Sequence, residues 1–269
     1  MSTELKRKLA GDQEMAITVS IVSHRHGQMI VPLTEKLLTF PEINTVIVTH
    51  NIPENIDLPN DPRIIRRWNS VPKGFGDNHN NAFNSCADGY FCVLNPDIHF
   101  LENPFPQLMA ELQRSGSAMI APKVINRDGR VEDSARHFPT VPRMLKKILG
   151  FSDSRHSELS TDSTFHPECV AGMFMLFKKD SFQKLNGFDT RYFLYYEDID
   201  ICARIWKTGD AISLLPSAVV IHDAQRESHR SIKFLKWHVS SMLLFFYLHM
   251  GRLPNVPASA PMANIEKND

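Results

Sequence analysis

The sequence predicts an α/β fold built on a mostly parallel sheet flanked by helices, with an amphipathic helix near the C-terminus, and three observations carry that prediction. Short uncharged runs rich in Val, Ile and Thr recur along the chain, each bounded by polar residues, as buried strands are. The first two are separated by a stretch of helical length, and a strand, helix, strand order at this spacing implies a right-handed crossover between parallel neighbours. Several strands also end in residues with useful chemistry, at the sheet edge where open parallel sheets bind their ligands.

Residues 17–23 (Ile-Thr-Val-Ser-Ile-Val-Ser) read as the first strand, 28–40 as a helix and 45–49 as the second strand, with 63–67 a short third. The strand ends to inspect are therefore Ser23-His24-Arg25, His50-Asn51 and the loop after Arg67. That loop, Asn69-Ser70-Val71-Pro72-Lys73-Gly74-Phe75-Gly76, precedes a helix expected to be capped by Asp77 and to run through Asn80 and Ala82. Two glycines beside a lysine let a backbone approach a phosphate or a sugar, and they equally make an ordinary Pro-Gly turn. Neither a P-loop nor a G-x-G-x-x-G is present.

Residues 90–94 form a fourth strand ending in Asn95-Pro96-Asp97. Pro96 stops the strand and leaves Asp97 at the carboxyl edge, where a lone acid holds Mg²⁺ or Mn²⁺ or simply makes a turn. Residues 118–121 read as a fifth strand, and 151–165 as a polar mobile loop of the kind that closes over clefts. Order returns at 170–177, where Gly172 admits a close neighbour, and the strand 218–221 delivers His222.

Between them lies Phe188 to Arg204, in which four aromatics (Tyr192, Phe193, Tyr195, Tyr196) lead into Glu197, Asp198 and Asp200. A helix starting near Glu197 buries Ile199, Cys202, Ala203 and Trp206, pairs Asp200 with Arg204 on its outer side and stops at Gly209. Acids in a first turn line a cleft or merely complement the helix dipole. The last helix, 226–249, carries an apolar stripe of Ile232, Leu235, Val239, Met242 and Phe246 with Arg230, Lys233 and Lys236 off it. Such a helix suits an anionic membrane surface, its own domain or a homodimer partner.

The chain has 269 residues and 42% hydrophobic content, enough for a sizeable core. Thirty basic and thirty acidic residues balance, so no overall field draws nucleic acid. Cys86, Cys92, Cys169 and Cys202 sit among apolar residues without C-x-x-C spacing, as reduced thiols do. The N-terminus has no apolar segment of a secretory signal, and the uncharged stretch 237–250 is shorter than the roughly 18 residues a spanning helix needs. Together they predict a cytoplasmic protein, peripheral on the inner face of the cell membrane if the last helix docks there. Residues 1–15 are expected to be flexible, 16–250 to form one domain with halves at 16–122 and 123–250, and 251–269 to be a disordered tail.

Read in order, Val19 to Ser23, Lys73 to Gly76 with His79-Asn80, Leu94 to Asp97, Val170-Ala171-Gly172, Gly187-Phe188-Asp189, Tyr195 to Asp200 and Ala218 to His222 resemble the family 2 glycosyltransferases of the GT-A fold. The run His222-Asp223-Ala224-Gln225-Arg226 through Ser228 looks most like the bacterial rhamnosyltransferases of O-antigen and related polysaccharides. The resemblance implies a Rossmann-like nucleotide-binding sheet, a nucleotide-sugar donor (dTDP-L-rhamnose or a UDP-sugar), a divalent metal and a glycan or lipid-linked glycan acceptor. It gives the donor to the first half of the domain and the acceptor and catalysis to the second. It implies further that Asp97 and His222 hold the metal, that Asp198 is the catalytic base with Glu197 beside it, and that Ser23, His24, Asn51, Lys73, Gly74, Asn80 and Asn95 line the nucleotide sugar. Asn95 stands where many members carry the first acid of a D-x-D motif, so a catalytically inactive nucleotide-sugar-binding subunit is the reading from another class.

Overall fold

Among the described residues the main sheet has eight strands, and its order places a late strand in the middle. In the computed structural model, which describes residues 13–148, 163–223 and 232–256, the strands are β1 (Ile17–Ser23), β2 (Ile43–His50), β3 (Ile64–Trp68), β4 (Tyr90–Leu94), β5 (Ile98–His99), β6 (Met119–Ile125), β7 (Ala135–Arg136), β8 (Cys169–Val170), β9 (Phe174–Lys178) and β10 (Ile212–His222). The order in the main sheet is β3-β2-β1-β4-β9-β6-β10-β5, and β7 pairs with β8 apart from it. β3, β2, β1 and β4 are parallel, β9 runs antiparallel to both β4 and β6, and β10 is parallel to β6. Six strands therefore point the same way and bring their carboxyl ends to one edge.

The helices are α1 (Ile30–Leu38), α2 (Phe75–Phe83), α3 (Phe105–Ser115), α4 (Val141–Ile148), α5 (Lys179–Lys184), α6 (Glu197–Lys207) and α7 (Ile232–His249). The central strand β4 is buried on both faces: Tyr90, Cys92 and Leu94 join one core with α1 and α3, whereas Phe91 and Val93 join another with α2, α6 and Phe245 of α7. Phe105, Leu108, Met109 and Leu112 line one side of α3, and each contributes about 1.5–3 kcal/mol by leaving water. All four cysteines are free and buried.

Several boundaries differ from the sequence reading. The strand expected at 218–221 begins at Ile212, because Pro216 is accommodated where the register with β6 skips between Leu215 and Val219. The stretch 170–177 is broken at Ala171-Gly172 between β8 and β9. The division at 122/123 falls inside β6, so the two halves share a strand. Asp77 lies in the first turn of α2, and Gly74 takes the cap position. Residues 13–15 are docked rather than loose, since the Gln13 carbonyl accepts from Gly89 N at 2.9 Å. Leu253 and Val256, expected in a disordered tail, pack against the core. Most of the loop 151–165, the run 224–228 and the tail beyond 256 lie outside the described residues.

The apolar stripe expected on α7 is also turned. Ser241, Phe245 and His249 are the buried positions, while Leu235 and Val239 face outward. The inward face was hidden in the sequence by its serine and histidine. Among the described residues, no helix is long and apolar enough to cross a membrane.

Candidate active site

The end of β10 meets the end of β4 through a local device. Pro96 stops β4, and the chain doubles back as β5, which runs antiparallel to β10 so that Ile98 pairs with His222. The Asp97 carbonyl accepts from Asp223 N at 2.9 Å, and Asp97 Oδ2 lies 3.2 Å from His222 Nε2. The two side chains expected at the metal are thus neighbours. The hairpin after β6 brings in a third group, Glu132, whose Oε2 is 3.4 Å from His222 Nδ1. Burial alone would lower the His222 pKa; the hydrogen bond and charge of Asp97, aided by Glu132, outweigh it and hold the imidazole above its ordinary value. Arg127 pairs with Asp223 at 2.6 Å and closes the turn from outside.

Asp97 Oδ1 is buried without a hydrogen-bond partner. An acceptor left in that state beside an imidazole suits a divalent cation, which takes oxygen and nitrogen donors. No group of three or more metal-binding side chains is arranged as a ready cage among the described residues. The fit is to a cation completed by phosphate oxygens of a ligand, as Mg²⁺ and Mn²⁺ commonly are.

The other acids are reached through Gly172-Met173. Asp198 Oδ2 accepts from Gly172 N at 3.1 Å and its Oδ1 accepts from Ile199 N at 2.8 Å, while Met173 O accepts from Asn95 N at 2.9 Å. Gly172 lets this turn sit close: a Cβ would stand 3.1 Å from the Phe75 ring and 3.7 Å from the Asp198 Cβ. Tyr195 and Tyr196 enter α6 with φ of 70° and 69°, left-handed values that cost about 1–2 kcal/mol per residue. That strain sits immediately before the acids, as strain at functional sites does.

Each acid has a different fate. Asp198 is half-buried, and its carboxylate is held by two backbone donors. Glu197 is 5% exposed, with Oε2 unpartnered; burial first, then the charges of Asp198 and Asp200, pushes its carboxyl well above the usual range. Its carboxyl is buried in the first turn of the helix, directly before Asp198 in the chain. Asp200 does pair with Arg204, at 2.7 Å, but inside rather than outside: it is buried and also lies 2.8 Å from His249 Nε2 of α7.

The loop between β3 and α2 packs on the aromatic run. A Cβ on Gly74 would lie 2.6 Å from Phe193 O, and one on Gly76 would lie 2.6 Å from the Phe188 Cβ. Asn80, expected at the nucleotide, has its amide engaged by the Phe188 backbone, donating at 2.8 Å and accepting at 2.9 Å. Asn51 accepts from Lys73 N at 2.8 Å and donates to Lys73 O at 3.0 Å, so it fixes the lysine's backbone; the Lys73 ammonium lies 3.9 Å from Asp77. Asn69 extends this amide network, reaching Asn51 at 2.8 Å and Asn78 at 2.6 Å.

At the end of β1, Glu54 accepts from Ser23 Oγ at 2.9 Å, Arg25 N at 3.0 Å and Gly27 N at 2.8 Å. His24 reaches Asn51 at 3.1 Å, and His26 lies within the field of Asp97 and Glu54. Sequence reading missed Glu54, Glu132 and His26. Glu54 was legible as an acid just past the second strand, displaced three residues beyond Asn51; Glu132 needed the hairpin after β6.

A family model described as the N-terminal domain of galactosyltransferase matches residues 155–230. The chain is 27% identical over 254 residues to Rhamnosyltransferase WbbL of Escherichia coli (strain K12), covering 88% of this chain and 94% of the relative. It is 28% identical over 169 residues to the N-acetylglucosaminyl-diphospho-decaprenol L-rhamnosyltransferase of Mycobacterium tuberculosis (strain ATCC 25618 / H37Rv), covering 59% of this chain and 55% of that one. GalNAc-T7, solved with UDP, GalNAc and Mn²⁺, is similar with a TM-score of 0.61 at 15% identity over 79% of this chain and 44% of its own. The mannosyltransferase PcManGT of Pyrobaculum calidifontis, solved with GDP-Man and Mn²⁺, has a TM-score of 0.58 at 12% identity over 90% of this chain and 65% of its own. The chain thus spans nearly all of the first relative, about half of the mycobacterial one and less than two thirds of either solved chain. With the carboxyl edge arranged as above, these likenesses make the protein a glycosyltransferase of the GT-A fold that resembles the rhamnosyltransferases.

Proposed function

We propose that the protein moves L-rhamnose from dTDP-L-rhamnose to a hydroxyl of a growing, lipid-linked cell-surface glycan on the cytoplasmic side, with inversion and with a divalent metal. The observation that carries this reading is the meeting of Asp97 and His222 at one strand end, with Asp198 anchored on Gly172 N beside the contact of Met173 with Asn95. Likeness to two rhamnosyltransferases supports the donor, and the diphospho-decaprenol in the name of one supports a lipid-linked acceptor. The Mn²⁺ and nucleotides of the two solved neighbours support the cation and the nucleotide sugar.

In this reaction the acceptor O–H gives its proton to the Asp198 carboxylate as its oxygen attacks the anomeric carbon of the sugar. The bond from that carbon to the diphosphate breaks on the opposite face, dTDP departs with the electron pair, and Asp198 later returns the proton to solvent. Asp97 and His222 would hold the cation, which when bound supplies positive charge against the leaving diphosphate. Glu197 is buried and burial disfavours its charged form, which leaves Asp198 as the more exposed acid of the pair.

The test is turnover by purified protein with Mn²⁺, a polyprenyl-diphosphate-linked sugar acceptor, and dTDP-L-rhamnose, UDP-glucose or UDP-N-acetylglucosamine in parallel. Release of dTDP alone is expected. Turnover of a UDP-sugar would instead make the protein a hexose or N-acetylhexosamine transferase, and nucleotide binding without any turnover would make it an inactive binding subunit.

A further inference from the structure

The two faces of α7 do opposite things. One is fastened to the catalytic turn: Phe245 is fully buried, Ser241 Oγ donates to Leu194 O at 2.9 Å, and His249 Nε2 lies 2.8 Å from Asp200 Oδ1. The other is apolar and open. Leu235, Leu243, Tyr247 and Met250 are 63%, 61%, 83% and 71% exposed, and Val239 is also exposed. Positions 235, 239, 243 and 247 follow one another at four-residue intervals, so these side chains make a continuous stripe along the helix. Residues 232–249 contain no Asp or Glu, and Lys233 and Lys236 stand at the start.

We propose that this stripe lies flat on an anionic lipid surface. Charge decides between a bilayer and a second copy of the chain. Lys233 lies over the Trp237 ring, 4.7 Å from its centre, and Lys236 stands beside the stripe; packed on its own twin, the helix would present Lys236 to a face with no acid to receive it. An anionic headgroup layer receives it and takes the Leu and Tyr side chains to the acyl boundary, as amphipathic interfacial helices do. Because the inward face of α7 grips residues 194 and 200, the surface contact sets the position of Asp198 relative to the bilayer.

This contact is independent of the proposed reaction and is tested without acceptor or donor. Full-length protein is sedimented with vesicles of phosphatidylglycerol and phosphatidylcholine, and with phosphatidylcholine alone. Binding is expected on the anionic vesicles, weakening with salt, and falling by more than about tenfold in L235E/L243E. An unchanged unfolding temperature and circular dichroism spectrum in that variant show that it is folded, as expected for two exposed leucines. Equal vesicle binding by the two proteins, equal binding to both kinds of vesicle, or no binding by the unaltered chain overturns the proposal. A dimer that dissociates in L235E/L243E, read by light scattering, also overturns it and gives the face to a second copy.

Discussion

At the end of β10, Asp97 and Glu132 share one imidazole; at the start of α6, Glu197, Asp198 and Asp200 stand within four positions and each solves its charge separately. In the first cluster, opposite charge compensates in place, and one oxygen, Asp97 Oδ1, is buried without a hydrogen-bond partner. In the second, burial pushes the Glu197 carboxyl up, Asp200 is paired with Arg204 and His249, and Asp198 is held by backbone donors. The difference is between acids compensated together on one imidazole and acids compensated one by one, and it supports the proposed division between metal holding and proton transfer.

The sharpest test of that division is Asp198→Asn, which should lower kcat by about 10³-fold while leaving dTDP affinity and unfolding temperature unchanged. Full activity in steady-state assays would remove the base from the second cluster. Asp200→Ala should instead destabilise the fold by about 3–5 kcal/mol, because Arg204 and His249 lose a buried partner, as denaturant titration would read. Asp97→Ala should weaken Mn²⁺-supported nucleotide binding about tenfold to hundredfold in calorimetry, with little change when Mn²⁺ is omitted. Equal affinities with and without the ion would separate the first cluster from any metal.

A smaller effect contrasts two imidazoles. His222 is held above its ordinary pKa by acids, whereas burial alone pulls His79 down from 6.5 to about 3, with Ser20 Oγ 2.8 Å from its Nδ1. Between those values the unfolded chain binds the proton that the folded chain refuses. The contribution of His79 is therefore complete above pH 6.5 and is lost as pH falls toward 3. His79→Gln should flatten that part of the stability profile by about 1.4 kcal/mol per pH unit.

The strands β1, β2 and β4 were legible because residues buried on both faces write themselves as continuous apolar runs. The placement of Asp97, Asp198 and His222 at element ends was legible because each follows or begins an element whose period was readable. The contacts of Asn80 with Phe188 and of Gly74 with Phe193 were not legible, because a polar or flexible residue near a cleft looks the same in sequence whether or not it also packs on the chain's own aromatics. Glu132 and the inward face of α7 depend on contacts far along the chain, with His222 and with Asp200, and no local pattern records them.

The placement of β9 bears on how the molecule is made. Residues 174–178 fill the gap between strands at 90–94 and 119–125, and the other side of 119–125 is covered only by 212–222, so both earlier strands have edges whose partners are made later. The nascent chain must keep those open apolar edges from pairing wrongly until its own later segments join them.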